Sequence, residues 1–230
     1  MNISQNIKVA VDAVVFGYEE GQVRILLIKQ KFGVYKDRWA LPGGFVLDGE
    51  SLSGAVEREL REESGVAVDY MEQLCTFGDD VARDPRAQVI SVAYLALVNP
   101  SKLRLRASSD AKEAKWFPAD NIPELAFDHN TIIAKGLERL KAKVSYQPLG
   151  FDLLEKEFPF SDLENLYRAI LGRDIDRRNF RKKLMSFGFL EETDKMRKIG
   201  SGRPAKLFVF NKQEYRRLES EGIHFEIKYA

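Results

Sequence analysis

Two apolar runs rich in β-branched residues, VAVDAVVFGY and VRILLIKQ, flank the polar EEGQ near the start of the chain, a pattern that predicts a β-hairpin. VAVDYMEQLCTFG and AQVISVAYLALV predict two further strands, the second strongly β-prone. Between the two pairs the period lengthens. SLSGAVERELREESG carries a good N-cap at Ser51 and a good C′ residue at Gly65, so it predicts a helix with a defined start and stop. AFDHNTIIAKGLERLKAKV predicts a second helix capped by Asp128, with Ile133, Leu137, Leu140 and Val144 spaced to cover a core. His129 falls in its first turn, where a lone histidine is read as a packing or hydrogen-bonding residue.

The first helix carries the chemistry. Glu59, Glu62 and Glu63 lie at i, i+3 and i+4, so their carboxylates share one face. Such a cluster repels itself unless a cation joins it, and hard oxygen ligands suit Mg²⁺ or Mn²⁺, which could bridge to a diphosphate. In WALPGGF just upstream, Gly43 and Gly44 make a tight entry to the helix where backbone can come close to a phosphate. From Gly44 to Val66 every position fits G-x5-E-x7-R-E-U-x-E-E-x-G-U, U being aliphatic, and so resembles the Nudix box.

That resemblance implies an α/β/α sandwich with a mixed sheet, whose box binds the metal-complexed diphosphate of a nucleoside diphosphate derivative. Carried over by position, Glu59, Glu62 and Glu63 become the metal ligands and catalytic carboxylates, with Arg58 and Glu50 orienting loop and helix. An intact box specifies a site and leaves hydrolase and sensor both open. In DDVARDPRAQ, Arg83 and Arg86 sit at the tip of a polar hairpin, where arginine suits bidentate recognition of phosphate or carboxylate. The R-D-P-R run is similar to one in Nudix proteins that handle ADP-ribose; a solvated loop is the other reading. EAKWFPADNIPEL resembles the last Nudix strand and acidic turn, which puts Glu113 near the site to assist a metal or a water.

Composition changes the picture at the C-terminal side. A chain of 230 residues with 44% apolar content accommodates one such domain and a smaller one. No apolar run reaches the length of a membrane span and MNISQNIKV lacks signal-peptide character, so a cytoplasmic protein is expected. Its one cysteine, Cys75, excludes an intramolecular disulfide and reads as a buried thiol. The net charge of +1 says little, but its distribution is uneven. Eleven Lys or Arg face five Asp or Glu between Arg173 and Lys206, whereas the region before Tyr146 is slightly acidic.

VSYQPLGFDLLEKEFPFS, rich in Pro, Gly and aromatics, marks a boundary near Tyr146 and so domains of 1–145 and 146–230. Beyond it, SDLENLYRAILG predicts a helix capped by Ser161 and closed by Gly172, and DRRNFRKKLMSFGF a second one capped by Asp176 and ending near Gly188. Leu163, Leu166, Ile170, Phe180 and Leu184 would pack the pair. Arg177, Arg178, Asn179, Arg181, Lys182 and Lys183 then form a basic set, as a recognition helix presents to the major groove of double-stranded DNA. FLEETDKMRKIGSGRPAKLFVFN has the form of a β-hairpin wing with Lys195, Arg197, Lys198, Arg203 and Lys206 around its loop.

A Nudix domain followed by a winged helix resembles the NrtR family of Nudix-related transcriptional regulators, and FDH, QPLGFDLL and RRNFRKKL look like that family's own segments. The resemblance implies a homodimeric repressor on a palindromic operator, released by a small-molecule effector. ADP-ribose is expected for members controlling NAD metabolism, and sugars such as arabinose for some relatives. Many such regulators have lost box carboxylates. Here all three remain, so an Mg²⁺-dependent hydrolase of ADP-ribose or another nucleoside diphosphate derivative is the competing expectation.

Overall fold

A computed structural model describes residues 5–68, 70–106, 111–198, 203–227 and 229. The chain divides into two compact units: the chain through Gly17 with Arg24–Leu137, and Tyr18–Val23 with the chain from Glu138 onward.

The first unit is built on a seven-stranded mixed sheet. Its strands are β1 (Lys8–Glu19), β2 (Gln22–Gln30), β3 (Trp39–Ala40), β4 (Gly43–Phe45), β5 (Tyr70–Phe77), β6 (Val89–Leu97) and β7 (Ala111–Pro118). The main path runs β3-β2-β1-β6-β5, with β4 paired to β1 and β7 to β2. β1 and β6 are parallel, from Lys8 opposite Val89 to Phe16 opposite Leu97, and the other pairings described are antiparallel. Strand alternation explains the layering. Val11, Ala13 and Val15 point to one face and pack with Ala55, Val56 and Leu60 of α1 (Leu52–Ser64). Val14 and Phe16 point to the other, where α2 (His129–Tyr146) crosses so closely that a Cβ on Gly136 would lie 2.9 Å from Val14 Cγ1.

The caps of α1 form as expected. Ser51 Oγ accepts the Gly54 N–H at 3.1 Å, and Gly65, at φ +73°, donates to the Arg61 carbonyl. Ahead of α2 the expected cap is different: the Ile132 N–H is taken by the Asp128 carbonyl, while the Asp128 carboxylate is engaged by Arg83. Ile133, Leu140 and Val144 of α2 are fully buried.

The second unit contains β8 (Glu157–Pro159), α3 (Phe160–Leu171), α4 (Arg177–Ser186), β9 (Leu190–Arg197), β10 (Ala205–Phe210) and α5 (Lys212–Glu221). Its sheet order is β8-β10-β9, antiparallel throughout, so helix pair, hairpin and short strand make a winged helix. Leu163, Leu166, Ile170, Phe180 and Leu184 are buried as their spacing predicts. Tyr167 joins them, its hydroxyl accepting from the Leu149 N–H and donating to the Leu149 carbonyl. Asp176 caps α4 by accepting the Asn179 N–H, and Gly172 closes α3 at φ +68°. The cap of α3 is a correction: β8 runs straight into the helix, Pro159 occupies the cap position, and Ser161 lies inside the first turn. No described helix is long and apolar enough to cross a membrane.

Candidate functional site

Arg58 organises the entry to α1. Its Nε and Nη2 donate to both oxygens of Glu50 at 2.8 and 2.9 Å, its Nη1 to Glu59 at 2.7 Å, and its Nη2 also to the Phe45 carbonyl. Glu50 Oε2 in turn accepts the Leu47 N–H, so one guanidinium ties loop 45–50 to the helix. The Arg58 fork and the Leu47 amide hold the Glu50 carboxyl down at about 2, and Glu50 and Glu59 push Arg58 up. Burial pushes Glu59 up, with Arg58 pulling the other way.

Both glycines at this entry are also required by close contacts inside the protein. A Cβ at Gly44 would lie 2.2 Å from Glu59 Oε1, and one at Gly43 2.2 Å from the Val11 carbonyl and 2.8 Å from Asp12 Oδ1. They let the protein's own strand and carboxylate close in, and the Gly43 N–H donates to Glu63 at 2.8 Å.

These groups line a cavity of about 300 Å³. Its inner wall is a polar network that the sequence reading did not assemble. Asp12, in the middle of β1, lies 3.3 Å from His129 Nε2 and accepts from Ser91 Oγ, while His129 Nδ1 accepts the Leu41 N–H. With Nδ1 accepting from Leu41, Nε2 is the ring nitrogen that faces the Asp12 carboxylate. Arg83 is buried, donates through Nε and Nη2 to Asp128 at 2.9 and 2.5 Å, and lies 3.8 Å from Asp12. Burial works against the Asp12 charge, but His129, Ser91 and Arg83 hold its carboxyl below the usual range. Arg83 is thus no exposed tip: the Asp12 and Asp128 carboxylates draw it inward.

Arg86 stays half-exposed at the cavity, forked onto the buried Asp84 through Nε at 2.9 Å and Nη2 at 2.7 Å. Glu113 is exposed on β7 opposite Lys29 and does not line the cavity. Of the three box carboxylates, Glu59 and Glu63 line it, whereas Glu62 is half-exposed and reaches Arg58 at 3.5 Å. Among the described residues no three His, Cys, Asp or Glu side chains are grouped to hold a cation. In these side-chain positions Arg58 engages Glu59 and the Gly43 amide engages Glu63.

In the second unit the basic set of α4 divides by helix face. Arg178, Arg181 and Lys182, at i, i+3 and i+4, are exposed together. Arg181 lies over the rings of Phe160 and Phe208 at 4.6 and 5.4 Å, which braces its stem. Arg177 is forked onto the buried Glu164 of α3 at 3.0 and 2.8 Å. Asn179 donates to Asp176, and Asn179, Lys182 and Lys183 line a groove shared with His224 and Glu226. In the wing, Lys195 and Lys206 are paired with Glu157 and Glu192, and Arg197 donates to the Glu157 carbonyl. Lys198 and Arg203 are exposed on either side of residues 199–202, which lie outside the described residues.

Comparison with known proteins fits both units. A family profile described as NUDIX domain matches residues 6–140, and one described as NrtR DNA-binding winged helix domain matches residues 150–210. The ADPR responsive transcriptional repressor NtrR of Acinetobacter baylyi is 34% identical over 209 residues, 89% of this chain and 82% of that protein. The ADP-ribose pyrophosphatase of Methanocaldococcus jannaschii is 43% identical over 125 residues, 54% of this chain and 70% of that protein. Among solved structures, Shewanella oneidensis NrtR complexed with a 27mer DNA superposes with a TM-score of 0.81 at 30% identity, covering 96% of this chain and 99% of that one. A Nudix fold with a complete box, a winged helix with a cationic helix face, and likeness along nearly the whole chain place this protein in the Nudix family, among the NrtR-type transcriptional regulators.

Proposed function

We propose that this protein is a transcriptional repressor that binds operator DNA through residues 146–230 and releases it when ADP-ribose occupies the cavity of residues 1–145. The observation that carries the reading is the pairing, in one chain, of a diphosphate-suited cavity with an exposed Arg178, Arg181 and Lys182 face on the second helix of a winged helix. Helix residues of this kind read bases in the major groove, and Lys198 and Arg203 in the wing meet phosphates. A homodimer on a palindromic operator follows from the same reading, since two recognition helices one helical turn apart read two half-sites.

Release requires that ADP-ribose bind the DNA-free protein more tightly than the DNA-bound one. A coupling of about 2–3 kcal/mol lowers operator affinity by roughly 30–150-fold. All three cavity arginines are held by carboxylates, but Arg86, on Asp84, is the half-exposed one and would meet the diphosphate, while the more buried Arg58 and Arg83 shape the wall.

A second reading is favoured by one observation: Glu59, Glu62 and Glu63 are all present, as the box of a hydrolase requires. Mg²⁺ or Mn²⁺ belongs to that reading: Glu59, Glu62 and Glu63 would hold the ion, which would neutralise charge on the diphosphate. The test is fluorescence anisotropy of labelled DNA from the region upstream of the protein's own gene, titrated with ADP-ribose and Mg²⁺, with AMP assayed in the same samples. Specific binding reversed by ADP-ribose without AMP is the expected result. AMP release without specific DNA binding would establish the hydrolase instead.

A further inference from the structure

After α5 the chain passes Gly222 and continues as IHFEI, in which apolar and polar residues alternate as they do along an extended strand. One side of this segment is anchored. Phe225 and Ile227 are buried, and the Phe225 ring lies 6.4 Å from that of Tyr167 in α3 and 6.2 Å from that of Phe187 at the end of α4. Further on, Tyr229 forms a bridge with Ile175, just ahead of α4, and the Arg173 guanidinium sits 3.3 Å from the centre of its ring. Contacts first at the end of α4 and then ahead of its start make the segment run back along the helix. The other side is open: His224 and Glu226 are exposed and, with Asn179, Lys182, Lys183 and Ser186, line a groove of about 260 Å³. Helical rotation relates this groove to the recognition face. Phe180 and Leu184 point inward, Arg178 and Lys182 outward, Arg181 to the flank where it meets Phe208 of β10, and Asn179 and Lys183 to the opposite flank. The exposed face is therefore bordered by the sheet on one flank and by the C-terminal segment on the other. A helix about 10–12 Å across fills a major groove about 12 Å wide, so whatever lies on its flanks meets the two phosphate chains that bound the groove. Charge fits that position. Arg177, Lys195 and Lys206 are paired with carboxylates, whereas Lys182 and Lys183 are paired with none among the described residues.

We propose that the C-terminal segment is a second DNA-contacting arm, whose groove with α4 receives a backbone phosphate of the operator. Lys182, Lys183 and an imidazole N–H of His224 engage the phosphate oxygens. Glu226, the one carboxylate lining the groove, repels the phosphates of any duplex and so holds down affinity for DNA in general. The inference rests on the DNA-binding reading above and deepens it: phosphate recognition lies on both flanks of the recognition helix, the wing on one and the arm on the other.

The experiment is fluorescence anisotropy of full-length protein, wild type, His224→Ala, His224→Lys and Glu226→Gln, on a labelled duplex from the region upstream of the protein's own gene and on a scrambled duplex, across about 50–200 mM salt. Both positions are exposed, so the fold should tolerate all three substitutions, and thermal unfolding checks that it does. One phosphate contact by a full positive charge contributes about 0.9 to the slope of log affinity against log salt, or roughly 3- to 4-fold in affinity over that range. His224→Ala should weaken binding to both duplexes, and His224→Lys should restore it and steepen the slope by up to about 0.9. Glu226→Gln should tighten both duplexes alike. An arm that only packs against α4 predicts otherwise, since a lysine at position 224 then has nothing to meet. His224→Lys binding no better than His224→Ala, or a Glu226→Gln variant with wild-type affinity for both duplexes, would overturn the arm while leaving DNA binding through α4 standing. Failure of the wild type to bind either duplex would instead remove the DNA-binding reading, and the arm with it.

Discussion

Replacing Arg83 by Met tests the buried network directly, because the stem and its packing remain while the guanidinium goes. Only 4% of the Arg83 side chain is exposed, and its loss leaves Asp12, 9% exposed, and Asp128, 27% exposed, with one positive partner fewer. Breaking a fully buried pair costs about 3–5 kcal/mol; water at Asp128 lowers the expectation to about 2–3 kcal/mol. The assay is urea unfolding followed by tryptophan fluorescence. Both tryptophans, Trp39 and Trp116, lie in the first unit, so the signal reports that unit alone. The penalty should also depend on pH. Arg83 is among the groups holding the Asp12 carboxyl low, so in the variant that carboxyl titrates higher; the penalty is full above its raised value and shrinks as pH falls through it. A double-mutant cycle with Asp128→Asn should recover about 1–2 kcal/mol of coupling. A variant within about 0.5 kcal/mol of wild type, or one whose penalty stays constant down through the acid range in which Asp12 protonates, would refute the network.

Gly43→Ala and Gly44→Ala should behave differently: the first meets the Val11 carbonyl and should destabilise the first unit by about 1–3 kcal/mol in urea unfolding, while the second meets only the Glu59 carboxylate and should weaken ligand binding with smaller loss of stability. Because the folded Glu50 carboxyl sits at about 2 against an ordinary 4.5, its contribution is complete above 4.5 and lost as pH falls through 2; Glu50→Gln should flatten that part of an acid titration followed by tryptophan fluorescence. Arg178→Ala should cost about 1–3 kcal/mol at one operator position and relax preference there, whereas Lys198→Ala should weaken operator and scrambled DNA alike and reduce the salt slope by about 1, both read by anisotropy.

The box helix was legible because its signals are local: Ser51, Gly65 and the carboxylate spacing all lie within one segment, and caps act within a turn. The winged helix was legible for the same reason, since Leu163, Leu166, Ile170, Phe180 and Leu184 repeat with the helical period. The inner wall of the cavity was not, because Asp12, the Arg83–Ser91 stretch and His129 come from three separated parts of the chain joined only by sheet register and by the start of α2. One signal was available: an aspartate inside the apolar run VAVDAVVF has to find partners when buried. Arg83 and Arg177 show what charge patterning leaves open, since each is paired with a carboxylate distant in sequence, Arg83 buried and Arg177 with most of its side chain exposed. Glu113 was placed by likeness to a strand, and strand alternation put it on the exposed side.

The most direct test of the sensor account is reciprocity: the ADP-ribose dissociation constant measured by calorimetry on free protein and on protein saturated with operator DNA. If effector and operator oppose one another, operator must weaken ADP-ribose binding by the same factor, roughly 30–150-fold, by which ADP-ribose weakens operator binding. Equal ADP-ribose affinity for the free and the DNA-bound protein would contradict it, since a ligand that binds both states alike cannot release the DNA.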